Sequence, residues 1–351
     1  MVFSYYLYKY PYKLSWYIAK LFRKNIIIAF YCADPLDYEM FLPISKYLPA
    51  LKIIAKNSKV KKYLRNKGIE FVNMPFFPDA VLMARQMPYK FPVKKIIKFG
   101  FDHGLYQFKR WTSPRNYNEF DIYFVSSEAQ VKIAKSLGIN SVVAIGYPKN
   151  DNAFNGTYNS DYLNNIRKKL NLDSSKKTIL FSTTWNVDGL SQIDKWINRI
   201  SELADEFNVM TTVHTWIEDK YRDMLRKNPN NYFIEEYDIT PYLMIADILV
   251  GDYNSLIGEY CAFDKPIITF KVPESKRTVP EIIEIIRSIS YQIESFNEIK
   301  QVIYRALKNP LEKSSERQKA NKIFFSQLDG LAGKRAADNI ISYLKRNGYN
   351  I

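Results

Sequence analysis

Short apolar runs closed by turn-forming clusters alternate along this chain with stretches whose apolar residues recur at helical spacing. "NIIIAFY" (Asn25–Tyr31) ends in "CADP" and reads as a buried strand, and a helical pattern over Leu36–Leu48 follows. "LKIIAK", "VKKYLRNKG" and "IEFVNM" then predict strand, helix and strand, and "FDIYFVSS", "EAQVKIAKSLG" and "SVVAIGYP" repeat the series. A segment rich in Asn, Asp, Gly and Ser, starting at Asn150, interrupts the rhythm as a linker would. Beyond it the alternation restarts. "KKTILFSTTW" reads as strand, "QIDKWINRISELADEF" as helix and "VMTTVHTW" as strand, followed by shorter alternating pieces down to "KPIITFKV". Two polar helical stretches, Glu312–Gln327 and Leu331–Arg346, close the chain. Such alternation predicts an α/β fold of mostly parallel sheets covered by helices. It divides into a domain over residues 1–155 and a second over 156–351 that carries the helical tail. Two doubly wound halves facing one another would place a site in the cleft between them.

The first residues break this pattern. "MVFSYYLYKYPYKLSWYIAKLFRK" mixes aromatic and aliphatic residues with Lys9, Lys13, Lys20, Arg23 and Lys24, and after Pro11 the residues Leu14, Tyr17, Ile18 and Leu21 fall at helical spacing. A basic, aromatic amphipathic helix suits the headgroup layer of an anionic membrane, and it equally suits docking on the first domain. "YKFPVKKIIKFG" (Tyr89–Gly100) repeats the mixture and favours the membrane. The formal net charge of +15 points the same way, towards an anionic partner. Nucleic acid is disfavoured as that partner, because no zinc, RNP or helix-turn-helix signature occurs and the basic residues are spread out. Cys32 and Cys261 offer neither a disulfide framework nor metal-ligand spacing, which suits a reducing cytoplasm, and no apolar run is long enough to span a bilayer. No signal peptide is expected, since Lys9, Pro11 and Lys13 interrupt the first apolar stretch.

Open parallel sheets bind ligands beyond the carboxyl ends of their strands, so the residues standing there are the candidates. "DILV" runs into "GDYNSLIGEY": Asp252 braces a polar turn, Asn254 or Ser255 caps the helix that follows, and Glu259 lies one turn along it. A capped helix start with a hydroxyl beside it favours an anion. Thr183, Thr184 and Trp185 end another strand, and His214 ends a third. Hydroxyls, an indole and an imidazole together suit a nucleotide diphosphate. The chain has neither a dinucleotide GxGxxG nor a P-loop. In the first half "DHGL" follows "VKKIIKFGF", so His103 is placed at a matching strand end, with Gly104 freeing the turn and Lys109 and Arg110 close behind. Only two histidines occur in the whole chain, and an imidazole is well suited to take a proton from an alcohol.

These pieces resemble the CDP-glycerol glycerophosphotransferases that build teichoic acids. "FDHGLYQFKR" is similar to the family's HG-and-Lys segment, "GYPKND" to its G-x-P-[RK]-x-D, "STTW" to its P-T-W and "VHTW" to its His. "YDITPYLMIADILVGDYNSLIGEYCAFDKPIITF" resembles the stretch that holds its DYSS, an acidic residue and KP. Ser182, Thr215 and Asn254 depart from the pattern, which puts the donor in doubt more than the fold, and the segment before Phe99 leaves the acceptor unconstrained. The resemblance implies a GT-B fold and metal-independent transfer of a polyol phosphate, glycerol phosphate first among them, from a CDP-linked donor. No cofactor is implied, and the acceptor would be a lipid-linked or polysaccharide hydroxyl. Carried over by position, His103 would serve as the base or as an acceptor-side catalyst, while His214, Asn254 and Ser255 would hold the pyrophosphate. Thr183, Thr184, Trp185, Asp252 and Glu259 would complete the donor side, with Gly104, Lys109 and Arg110 on the acceptor or phosphate side. A GT-B glycosyltransferase using a nucleotide-sugar in capsule or lipopolysaccharide synthesis is the alternative.

Overall fold

The computed structural model describes residues 2–102, 104–105, 108, 112–275 and 279–351, with side chains from Tyr5 onward. Two compact units emerge, one of residues 1–103, 112–151 and 329–351, the other of residues 104–111 and 152–328.

The first unit opens with α1 (Val2–Leu21) and continues through β1 (Ile28–Cys32), α2 (Pro35–Ser45), β2 (Lys52–Ala55), α3 (Ser58–Asn66), β3 (Ala80–Met83), β4 (Ile97–Phe101), α4 (Pro114–Tyr117), β5 (Ile122–Val125), α5 (Glu128–Ser136) and β6 (Val142–Ala144). Its strands form a parallel sheet in the order β2-β1-β3-β4-β5-β6. Strands β1 and β3 are buried on both faces, as their unbroken apolar runs require, and β4 is buried too, its Lys98 ammonium donating to the carbonyls of Val93 and Ile96. "IEFVNM" is not a strand: Val72 makes only an isolated bridge to Ile54, and the place beside β1 goes to "AVLM" at β3. Four consecutive apolar residues fit the sheet interior better than a run that carries Glu70 and Asn73. Helix α1 also starts earlier than Pro11 suggests and passes through it. Tertiary bonds on both sides of the proline hold it: the Tyr8 and Tyr12 hydroxyls donate to the carbonyls of Lys90 and Phe76, each at 2.6 Å.

The second unit holds α6 (Asp151–Phe154, beginning at the boundary residue), α7 (Ser160–Lys169), β7 (Lys177–Thr183), β8 (Phe207–Val213), α8 (Asp219–Lys227), β9 (Tyr232–Phe233), α9 (Thr240–Ile245), β10 (Ile248–Gly251), α10 (Ser255–Cys261), β11 (Ile267–Phe270), α11 (Pro280–Ile289), β12 (Tyr291–Ile293), α12 (Ile299–Lys308) and α13 (Ser314–Phe324). Its parallel sheet runs β12-β11-β10-β7-β8-β9. The helix expected over Gln192–Phe207 is instead a pair of 3₁₀ turns, Ile193–Lys195 and Ile200–Leu203. Ile193, Trp196, Ile200 and Leu203 still enter the core, because spacing by three serves 3₁₀ turns as well as an α-helix.

The last helix, α14 (Ala332–Arg346), belongs to the first unit and not, as the order along the chain suggests, to the second domain over 156–351. Asp151 accepts the Ala332 and Gly333 N–H groups at 3.0 and 2.7 Å, and Arg335 donates to the carbonyl of Ile145 at 2.7 Å. The acid of "GYPKND" is therefore the clasp on a helix start.

Candidate active site

In the second sheet β10, β7 and β8 are neighbours, so the residues after their carboxyl ends meet. Asp252 organises the meeting. It is 2% exposed, and its carboxylate accepts from the Thr183 hydroxyl at 2.5 Å, the Thr184 N–H at 2.9 Å, the Gln192 N–H at 3.1 Å and the Asn254 amide at 3.0 Å. Burial pushes its carboxyl above the ordinary value, against the pull of these four donors. With the Thr183 proton spent on Asp252, the Ser191 hydroxyl 2.9 Å away is left to donate to Thr183. Neither Ser191 nor Gln192 carries a sequence signal: Ser191 lies in the loop before the stretch whose pattern reads as a helix, and Gln192 opens that stretch.

Asn254 is the cap of α10: its side chain accepts the Leu256 N–H at 3.0 Å, and Ser255 is the first helical residue. Gly251 permits this tight entry, because a Cβ there would stand 2.8 Å from the Ile257 side chain. Glu259, one turn along, is 1% exposed. Gly104 groups with this unit, and a Cβ on it would lie 3.8 Å from the Ser255 side chain. His103, Lys109 and Arg110 lie outside the described residues.

His214 extends the β7–β8 ladder by one rung, its N–H donating to the carbonyl of Thr183 at 3.1 Å. The Trp216 N–H donates to His214 Nδ1 at 3.1 Å, so the proton of the neutral imidazole sits on Nε2 and makes that nitrogen a donor. Arg222, from α8, donates to the His214 carbonyl at 2.9 Å and steadies the turn. Trp185 and Trp216 meet edge to face at 5.4 Å, with His214 5.6 Å from Trp216 and 6.4 Å from Trp185. Trp216 was not among the sequence candidates, although it is two residues from His214; it is 58% exposed. On the β11 side of Asp252 a cavity of about 380 Å³ is lined by Thr269, Gln292, Lys271 and Arg287 among others. Among the described residues, no group of three His, Cys, Asp or Glu side chains could hold a metal ion. Asp238 and Asp247 have structural partners: Asp238 accepts the Thr240 N–H at 3.1 Å, and Asp247 accepts the Thr178 N–H at 2.8 Å.

The family model for CDP-Glycerol:Poly(glycerophosphate) glycerophosphotransferase matches residues 52–342. The chain belongs to this family. Among its relatives are the teichoic acid poly(glycerol phosphate) polymerase of Staphylococcus epidermidis, 29% identical over 138 residues, and the teichoic acid ribitol-phosphate polymerase TarK of Staphylococcus aureus, 28% identical over 170 residues. The matches cover 37% and 44% of this chain but only 19% and 32% of those relatives, so it spans a minor part of their length. A solved structure of a histidine variant of the wall teichoic acid polymerase TagF superposes with a TM-score of 0.70 at 19% identity, over 93% of this chain and 90% of that one. The family member is thus an α/β protein of the GT-B class with two parallel six-stranded sheets, as its alternating pattern and family resemblance imply.

Proposed function

We propose that the chain transfers a polyol phosphate, glycerol phosphate first, from a CDP-linked donor to a hydroxyl of a lipid-linked or polysaccharide acceptor, at the cytoplasmic face of a cell membrane. The observation that carries the reading is the convergence of Asp252, Thr183, Thr184 and His214 at adjoining strand ends in a chain of this family. His214, Thr184, Asn254 and Ser255 are assigned to the pyrophosphate, and Trp185 and Glu259 to the rest of the donor. Asp252, buried beneath them, shapes the turn. The acceptor oxygen attacks the β-phosphorus, the bond from that phosphorus to the oxygen bridging the two phosphates breaks, and CMP leaves. His103 is assigned to take the acceptor proton, Gly104 to give its turn freedom, and Lys109 and Arg110 to the acceptor or phosphate side. The Nε2–H of His214 supports this division, since it can donate to the leaving phosphate as charge gathers there. Phosphoryl transfer asks mainly for positioning and charge stabilisation of this kind.

The test is a donor screen with the purified chain, offering CDP-glycerol, CDP-ribitol and nucleotide-sugars and following nucleotide release. CMP release from a CDP-polyol, increased by a polyol-phosphate acceptor, is expected. Turnover of nucleotide-sugars alone would put a glycosyltransferase in its place.

A further inference from the structure

The cavity on the β11 side of Asp252 is walled by residues of the second unit. In the parallel register Thr269 of β11 stands beside Gln292 of β12, each the one strongly polar residue of its strand. Thr269 and Ser290 are both 1% exposed, so their hydroxyls need partners inside the fold. Ser290, the C-cap of α11, donates to the carbonyl of Ile286 at 2.6 Å. Its proton is spent there, so Thr269 is the donor across the 2.7 Å between the two hydroxyls. The Gln292 amide supplies what both oxygens can still accept: Nε2 donates to Ser290 at 2.9 Å and to Thr269. Turned the other way, the amide would press its oxygen against Ser290, which has no proton left to give. This buried relay therefore fixes the amide, and Gln292 Oε1 is left accepting from no described group.

Size and lining narrow the choice of ligand. A volume of about 380 Å³ falls near the small end of the range that holds small molecules, about 300–1,000 Å³, and is far more than one water needs. One wall is Asp252 and Tyr253, the turn that runs into Asn254 and α10, so the cavity adjoins the end of the site assigned to phosphate. Ile283 and Ile286 of α11 make another wall apolar. Lys271 and Arg287 are its cations. Lys271 is paired with Glu294, whereas Arg287 has no carboxylate partner among the described residues. A nucleobase suits this lining poorly. Glutamine reads a base through its N–H and C=O together, and here both N–H bonds are already spent. A single acceptor beside an unpaired guanidinium and an aliphatic wall matches a hydroxyl and a phosphate on a short carbon chain.

We propose that this cavity binds a polyol phosphate, one hydroxyl donating to Gln292 Oε1 and the phosphate facing Arg287, with Thr269 and Ser290 as positioning residues. The assignment rests on the transfer reaction proposed above. It leaves two sources for the ligand: the polyol end of the CDP-linked donor, and the terminal unit of a polyol-phosphate acceptor. Calorimetry and steady-state kinetics on the full chain separate them, with Gln292→Leu and Arg287→Gln as variants. The second removes an exposed side chain that pairs with nothing described, so the fold is retained. If the donor supplies the ligand, the Kd for CDP-glycerol rises roughly tenfold in both variants, while the Kd for CMP, which lacks the polyol phosphate, is unchanged. If the acceptor supplies it, the CDP-glycerol Kd is unchanged and the KM for a soluble glycerol-phosphate oligomer rises roughly tenfold at retained kcat. Arg287→Lys should recover part of either loss, because it keeps the charge. Parent values of both quantities in Arg287→Gln would overturn the proposal, whatever Gln292→Leu does by disturbing the relay. So would equal weakening of CMP and CDP-glycerol, or a parent chain that binds neither CDP-glycerol nor glycerol 3-phosphate. A parent that binds glycerol 3-phosphate, loses it in both variants and yet turns over only nucleotide-sugars would count against the transfer reaction and leave the cavity assignment standing.

Discussion

Replacing Asp252 with Ala would strand the Thr184 and Gln192 N–H groups and the Thr183 hydroxyl inside the second unit without their acceptor. Buried donors left unmade are costly, so a loss of about 3 kcal/mol or more is expected in urea unfolding. Asp252→Asn keeps the shape but turns an amide donor among the other donors, and should lose less. The histidines differ in what their loss should do. His214→Ala removes the donor Nε2–H, so calorimetry with CDP-glycerol should show a weaker Kd as well as slower transfer. His103→Ala should spare the Kd and slow the chemical step by roughly 10²–10⁴-fold, the usual worth of a general base. Equal loss of donor affinity in both variants would defeat this division of roles.

At the scale of elements, α14 stays on the first unit through a contact no side chain larger than hydrogen permits. A Cβ on Gly333 would stand 2.5 Å from the carbonyl oxygen of Pro43 in α2. Gly333→Ala is therefore expected to cost about 1–3 kcal/mol and to lower the Tm, through overpacking against backbone that cannot yield. The same helix start gives a pH dependence. Burial pushes Asp151 up to about 6, although the Gly333 and Ala332 N–H groups and Arg335 oppose it. A carboxyl whose value is higher in the folded chain than in the unfolded one binds its proton more tightly when folded. Its contribution is full below about 4, and is lost as pH rises through about 6. Relative to Asp151→Asn, the parent should gain stability between pH 7 and pH 4, by at most about 3 kcal/mol, in parallel denaturant titrations.

For the whole molecule the expected behaviour is transfer that survives chelation. Among the described residues no acidic cluster offers oxygen ligands for Mg²⁺, and Asp252 is followed by Tyr253 rather than by a second carboxylate. CMP release from CDP-glycerol should therefore be unchanged by EDTA; activity abolished by EDTA and restored by Mg²⁺ would refute it. Among the described residues no helix is long and apolar enough to cross a membrane.

Local pattern by itself determined the alternation of strands and helices, the parallel sheets that follow from it and the turn at Asp252–Ser255. Each rests on a short-range rule: apolar runs seek burial on both faces, and Asn at a helix start accepts an N–H. The family motifs marked the same strand ends, because their spacing along the chain survives without the fold. Tertiary structure alone decided the rest. Periodicity could not separate the 3₁₀ turns at Ile193 and Ile200 from a helix, since both bury residues three apart. It could not tell that Gln192 donates to Asp252, that the Trp216 N–H sets the tautomer of His214, or that Asp151 holds a helix starting at Ala332. Nor could it say which residues of α1 face inward: Trp16 and Tyr17 are neighbours of like chemistry, and only the carbonyl of Pro78 selects the one that is buried. These are pairings between groups whose partners are chosen in space, where hydrogen-bond geometry and packing act on distances the linear pattern does not contain.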